Sequence, residues 1–101
     1  MTTFDDRETA FENKYVHDAE MQFKATARRN KLLGLWAAGL LGLSGDAATD
    51  YAASVVKADL EEAGDEDVYR KVAADLDGKA DEALIRSQMH LLLKQAKAEL
   101  L

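Results

Sequence analysis

The side chains of this chain that could do chemistry are few, and their spacing matches no reactive site. The chain has two histidines, His17 and His90, and no cysteine, which excludes thiol nucleophiles, zinc–thiolate sites and disulfides. Neither histidine has a second metal ligand at a metal-binding spacing, and His90, between Met89 and Leu91, is typical of a structural histidine. The acidic cluster at 61–67 lacks the alternating order of a calcium loop, and helix capping explains it.

The glycines and hydroxyl groups add no catalytic pattern. No Gly-Lys-Ser/Thr follows the glycines at positions 34–45 and no strand precedes them, so they do not form a phosphate-binding loop. No serine or threonine belongs to a recognisable arrangement with a histidine and an acid. We therefore expect no catalytic residues, no bound metal and no cofactor, and we predict that the chain is not an enzyme.

The strongest pattern is a basic cluster that leads into an apolar run. Arg28, Arg29 and Lys31 precede the twelve uncharged residues Leu32–Leu43. A membrane span needs roughly 20 apolar residues, so this run is too short. An export signal would begin with a basic segment free of acids, whereas six acidic residues precede this cluster. The run is therefore predicted to be a buried helix of a soluble, cytoplasmic protein.

Charge is distributed unevenly along the chain, whose net charge is −6. Residues 1–31 are neutral overall, residues 32–78 carry −7, and residues 79–101 carry +1. An acidic middle disfavours nucleic acid and anionic membranes, both of which attract clustered Lys and Arg. We expect a protein partner, with no nucleic acid and no membrane insertion.

Helical spacing of apolar residues, broken by glycines, predicts an all-α, small four-helix bundle. The predicted helices run from about Asp18 to Leu41, from Ala47 to Ala63, from Gly64-Asp65 to near Gly78, and from about Asp81 to the C-terminus. Four apolar stripes are predicted to form the core: Leu33, Trp36, Leu40 and Leu41; Ala48, Ala52 or Tyr51, Val55, Val56 and Leu60; Val68, Tyr69, Val72, Ala73 and Leu76; and Leu84, Ile85, Met89, Leu92, Leu93, Ala96 and Leu100.

Small and charged residues indicate how these helices pack and end. Gly34, Ala38 and Gly42 recur every fourth residue and should let a second helix approach closely. Gly42 is also suited to closing the first helix. Asp46 and Asp65 are predicted N-caps, and three i,i+4 ion pairs are predicted on the helix surfaces: Glu66–Arg70, Asp67–Lys71 and Glu82–Arg86.

Residues 1–17 are predicted to form a flexible or weakly helical arm before the bundle, which occupies residues 18–101. Phe4, Phe11 and Tyr15 fall on one side of a helix, with charged residues between them. Two interpretations stay open on periodicity alone: the aromatic residues pack on the chain's own bundle, or they anchor the arm in a groove of another protein. A helix of this length is marginal in water, so it would gain order on binding.

Four blocks of sequence point to a known family. They are MTTFDDRE at 1–8, FENKY at 11–15, FKATARRNKLLGLWAA at 23–38 and GDEDVYRK at 64–71. Together these blocks resemble the zeta subunit of the alphaproteobacterial F-type ATP synthase, and the resemblance spans essentially the whole chain. It implies a four-helix bundle whose N-terminal arm inhibits ATP hydrolysis.

The resemblance also implies partners and a binding segment. The arm would enter the cleft between catalytic and noncatalytic subunits of the soluble head and touch the rotor, blocking rotation in the hydrolysis direction only. The protein would then be cytoplasmic, and peripheral at the inner membrane through the ATP synthase. The residues implied for partner binding are those of the arm: Thr2, Thr3, Phe4, Asp5, Asp6, Arg7, Glu8, Phe11, Lys14 and Tyr15.

A second function stays open beside this one. A small helical bundle can bind a nucleotide or another small ligand, and the region around Trp36 is the predicted pocket. No nucleotide-binding motif is present in the sequence, so weak nucleotide binding is retained only as the alternative.

Overall fold

The computed structural model describes the backbone of residues 3–61 and 65–100, and the side chains of residues 20–59 and 65–100. Within those ranges the chain forms four helices and no strand: α1 (Thr3–Leu40), α2 (Gly45–Glu61), α3 (Glu66–Asp75) and α4 (Glu82–Glu99). The long α1 packs against α2 and α4, and α3 packs against the same two helices. The predicted all-α, four-helix fold is therefore confirmed.

The core draws on all four helices. Its buried residues share helical spacing within each helix and include one residue of the turn after α3: Leu33, Ala37, Val55, Val68, Val72, Leu76, Ile85 and Met89. Trp36 and Tyr69 lie partly buried against this cluster. Burial of a Val, Leu or Ile side chain contributes about 1.5–3 kcal/mol. These residues, nearly all predicted from periodicity, therefore hold the helices together.

The closest approach in the bundle lies between α1 and α2 at Gly34. A Cβ added at Gly34 would lie 2.5 Å from the Cα atom of Ala52, a distance that side chains do not tolerate. Ala38, one turn further along α1, is fully buried. The predicted small-residue ridge is confirmed at these two positions, whereas Gly42 is exposed and lies after the end of α1.

Glycines with positive φ end α1 and the turn after α3. Gly42 has φ +77°, and the N–H of Leu43 donates to the carbonyl of Ala38 at 2.8 Å, which closes α1 as predicted. Gly78 has φ +79° in the turn that follows α3. Both positions lie in the left-handed region, where residues with a Cβ are strained.

The predicted N-caps are only partly present. Asp46 lies inside the first turn of α2 and not before it, so the prediction that it is the N-cap is wrong. Asp65 precedes α3, but its carboxylate accepts from Arg29 and makes no capping bond. Asp81 caps α4, because its Oδ1 accepts from the N–H of Leu84 at 2.8 Å.

The surface ion pairs also differ from the prediction. Glu66 pairs with Arg86 of α4 at 3.0 Å and not with Arg70, because the α4 guanidinium presents two parallel N–H groups to the carboxylate. Lys71 pairs with Asp75, so the predicted Asp67–Lys71 pair is wrong as well. The predicted Glu82–Arg86 pair is confirmed at 3.0 Å.

Two residues predicted for the core lie on the surface. Leu40 is 40% exposed, since it occupies the last turn of α1, where the helices alongside no longer enclose it. Leu84 is 45% exposed in the first turn of α4. Leu60 lies outside the residues whose side chains the structure describes.

Candidate partner-binding helix

The length of α1 sets it apart from the helices that it packs against. At 1.5 Å per residue, its 38 residues extend over about 57 Å, which accounts for the 59 Å longest dimension of the molecule. The 17 residues of α2 and the 18 of α4 extend over only about 26 Å each. More than half of α1 therefore has to lie beyond the ends of its neighbours.

The register of the bundle shows which half that is. Arg28 forms an ion pair with Glu99, the last residue of α4. Ala25 and Ala96, each three residues before one member of this pair, are both buried. On the other side of α1, the 17 residues of α2 run back from the turn at residues 41–44 and end at about the level of residue 24. The N-terminal part of α1, residues 3–24, thus projects past α2 and α4; we call it the overhang.

The predicted partner-binding residues lie in the overhang. The backbone of Thr3, and of every other predicted residue except Thr2, is part of α1, and the side chains of residues 3–19 lie outside those that the structure describes. Thr2 lies outside the described residues altogether. The helix runs through position 17 without a break, so the first helix begins at Thr3 and not at about Asp18. Its backbone there agrees with the weakly helical arm that was predicted.

Phe23 is the largest exposed apolar side chain in the part of α1 whose side chains are described. Its side chain is 69% exposed, two residues before the buried Ala25. A phenylalanine exposed to this degree contributes little to the bundle, because it buries little of its apolar surface. It extends the partly apolar character of the overhang up to the edge of the bundle.

A buried polar cluster fixes α1 where it enters the bundle. Arg29 is 2% exposed, and its Nε donates to Oδ1 of Asn30 at 2.8 Å. Its Nη2 donates to Oδ1 of Asp65 at 2.7 Å, which ties α1 to the residue before α3. The Nδ2 atom of Asn30 is buried, and no described residue accepts a hydrogen bond from it. We call Arg29, Asn30 and Asp65 the root of α1.

A polar cleft of about 290 Å³ opens beside the root, between α1, α3 and α4. Arg29, Arg86 and His90 line it together with the carboxylates of Asp65 and Glu66. His90 is exposed there, whereas its neighbour Met89 is buried in the core. Trp36, which was the predicted centre of a pocket, packs against the core and does not line this cleft.

The charges of the cleft are already paired within the chain. The guanidinium of Arg86 donates to Glu66 and to Glu82, and it lies 3.9 Å from the ring centre of Tyr69. The hydrogen bonds from Arg86 hold the pKa of Glu66 below its usual value, and its positive charge lowers that pKa further. An anionic ligand would have to compete with these carboxylates for both arginines.

No three His, Cys, Asp or Glu side chains lie together as a metal site in the described part of the chain. None of the helices in this part carries an apolar stretch long enough to cross a membrane.

Comparisons with known proteins give the family. The family model for ATPase inhibitor subunit zeta matches residues 1–99. A chain solved by solution NMR shares 65% identity over 79% of this chain and 94% of its own length, with a TM-score of 0.74. No curated protein matches. The chain therefore belongs to the ATPase inhibitor subunit zeta family.

Proposed function

We propose that this member of the ATPase inhibitor subunit zeta family inhibits ATP hydrolysis by inserting its N-terminal arm, residues 1–17, into the soluble head of F-type ATP synthase. The arm enters the cleft between a catalytic and a noncatalytic subunit and reaches the rotor. The bundle, residues 18–101, remains outside as a stop. The chain acts as a regulator and not as a catalyst, and it is peripheral at the inner membrane through the enzyme.

The observation that carries this proposal is the overhang itself. A helix that extends about 30 Å past its neighbours is long enough to reach into a cleft while its root stays in the bundle. Positions 4, 11 and 15 lie on one face of such a helix, so the aromatic residues there can anchor together in a groove. The overhang therefore supports the interpretation in which these residues contact a partner.

We infer that inhibition acts in one direction of rotation only, as the resemblance to the family implies. The inserted arm blocks rotation in the hydrolysis direction, while the bundle limits how far the helix can enter. Rotation in the synthesis direction expels the arm. Binding energy concentrated in a few aromatic anchors suits such a reversible block.

Substitutions on the two faces of the arm test the proposal. We expect Phe4→Ala, Phe11→Ala and Tyr15→Ala, combined in the full chain, to weaken inhibition of ATP hydrolysis by the isolated head at least tenfold. A matched control, Thr9→Ala with Asn13→Ala, changes the opposite face and should inhibit as the unaltered chain does. Equal inhibition by both variants would show that the aromatic face is not the effector.

A second candidate function rests on the cleft beside the root. Two guanidinium groups and an exposed imidazole there could bind the phosphate groups of a nucleotide weakly, in competition with Asp65 and Glu66. Titration with ATP and ADP, with and without Mg²⁺, followed by calorimetry would discriminate between the two functions, since Trp36 does not line the cleft. Saturable binding that persists without the arm would favour the ligand-binding function.

A further inference from the structure

Three exposed leucines follow the side of the bundle where α1 and α4 meet. Leu35 is 39% exposed and Leu91 is 53% exposed, although neither lies in the first or last turn of its helix and a core-facing residue there would be buried. Leu84 is exposed as well and lies seven residues before Leu91, so both occupy one face of α4. Their exposure follows from the orientation of that face, which points away from the core.

The register between the helices brings Leu35 next to the two leucines of α4. Arg28 reaches across to Glu99 on this side, and Leu35 lies two turns further along the same face of α1. Because α4 runs antiparallel to α1, Leu35 is level with residues 91–92 of α4. Gly39 follows one turn later, and nothing lies within 4 Å of a Cβ added there.

The result is an apolar strip that is open to solvent at the glycine. We define the leucine face by the four residues that form it: Leu35, Gly39, Leu84 and Leu91. Isolated exposed leucines are common on protein surfaces, whereas several aligned along one helix–helix seam are typical of an interaction site.

The rim of the leucine face is basic. Three exposed lysines lie on the two helices around it, Lys24, Lys31 and Lys94, whereas the charge of Arg28 is paired with Glu99. No acidic residue occurs between Glu20 and Asp46 or between Glu82 and Glu99. By contrast, α2 carries four acidic residues and one basic residue. In a chain of net charge −6, the leucine face is therefore locally positive.

We propose that the leucine face docks on the same protein that receives the arm, at a surface that carries both acidic and apolar side chains. This inference rests on the proposed function. The arm and Leu35 belong to the same helix, with Lys24 of the rim about 10 Å and Leu35 about 27 Å from the end of the arm at residue 17. A partner that encloses the arm and extends about 30 Å along α1 contacts the leucine face as well, and the basic rim selects an acidic patch on it.

Other occupants fit the leucine face less well. In a symmetric dimer the same surface meets itself, which would bring the basic rims of two copies together. A membrane-bound amphipathic helix carries a continuous apolar face, whereas Gln88 interrupts the leucines here. Duplex nucleic acid would contact the cations and leave the leucines without a partner.

Charged substitutions in the full chain test the inference. Leu35→Asp combined with Leu91→Asp places two carboxylates on the leucine face, where they would repel an acidic partner. The matched control is Leu40→Asp, because Leu40 is equally exposed on a different side of α1. Lys31→Glu, with Lys57→Glu on α2 as its control, tests the rim alone.

Two quantities are measured for each variant: the affinity of the full chain for the isolated head, and the inhibition of ATP hydrolysis. We expect the double leucine variant to bind at least tenfold more weakly, and Lys31→Glu to show a smaller loss that disappears at high salt. Leu40→Asp and Lys57→Glu should bind as the unaltered chain does. Melting temperatures establish that every variant is folded.

The outcomes separate this inference from the proposed function. If the unaltered chain binds the head without inhibiting it, the proposed function is wrong, whereas dependence of binding on Leu35 and Leu91 still supports the leucine face. Binding within twofold for the double variant and its control overturns the leucine face alone. The leucine face is also overturned as a docking site for the head if the double variant keeps its affinity for the head but loses self-association or binding to anionic vesicles. If the unaltered chain does not bind the head, both proposals are wrong.

Discussion

The two halves of α1 have the same secondary structure but very different surroundings. From Ala25 to Ala38, α2 and α4 pack against one side of the helix and bury residues such as Leu33 and Ala37. From Thr3 to Lys24, the helix continues past both neighbours. Most of the stability of a helix in water comes from packing. The comparison indicates that the packed half holds the fold, whereas the overhang is available to a partner.

The largest difference should come from one apolar substitution in each half. Leu33→Ala removes a fully buried side chain and should lower the free energy of unfolding by about 2–5 kcal/mol. Phe23→Ala, at a residue that is 69% exposed, should change it by less than about 0.5 kcal/mol. Urea unfolding monitored by circular dichroism measures both. Similar losses for the two variants would mean that the halves are not distinct.

The root offers the next test, because it fixes the packed half through a buried charge. Asp65→Ala removes the carboxylate that pairs with Arg29 and should lower the free energy of unfolding by about 3 kcal/mol. This value is at the lower end for breaking a buried ion pair, because the cleft beside Arg29 admits water. Arg29→Met should cost less, because the carboxylate left behind is 57% exposed and hydrated. Asp50→Ala, at an exposed acid of α2, is the control for loss of a negative charge.

The two helical glycines of α1 allow its side that packs on α2, at Gly34, to be compared with its solvent-facing side, at Gly39. Gly34→Ala inserts a Cβ against the backbone of Ala52 and should destabilise the protein by about 1–3 kcal/mol. Gly39→Ala meets no atom and should stabilise it by up to about 1 kcal/mol, since alanine favours the helix. Opposite shifts in melting temperature are the expected result, and shifts of one sign would disprove the close approach at Gly34.

The smallest effect concerns pH at the edge of the cleft. Arg86 lowers the pKa of Glu66 in the folded state, so the pair stabilises the fold above the ordinary carboxyl pKa of 4.5. This stabilisation is lost as the pH falls through the lowered pKa. The difference in stability between the unaltered chain and Arg86→Met should therefore shrink between pH 7 and pH 3. Lys97→Met, which removes an exposed cation of the same helix, should show no such trend.

Much of the packed half could be predicted from the sequence. Apolar residues at helical spacing identified the core positions of all four helices, and Gly42 identified the end of α1. The first helix begins at Thr3 and not at about Asp18, because the predicted start rested on where the apolar pattern begins. Neither glycine nor proline occurs between Thr3 and Leu33 to stop a helix there.

The root could not be predicted, because a charged residue is normally placed on the surface. Arg29 is nevertheless four residues before Leu33 and seven before Trp36, so its position on the buried stripe was visible in the sequence. Its partner Asp65 was assigned to capping, since local spacing gives no information about contacts between distant segments. The outward face of Leu84 and Leu91 was missed for the same reason.

Amide hydrogen exchange on the full chain, with and without the isolated ATP synthase head, tests the central claim most directly. We expect the amides of residues 3–17 to gain protection when the head is added, while those of the core around Leu33 and Val55 remain unchanged. If the head binds and protects only the bundle, leaving residues 3–17 as they were, the overhang is not the segment that acts on the partner.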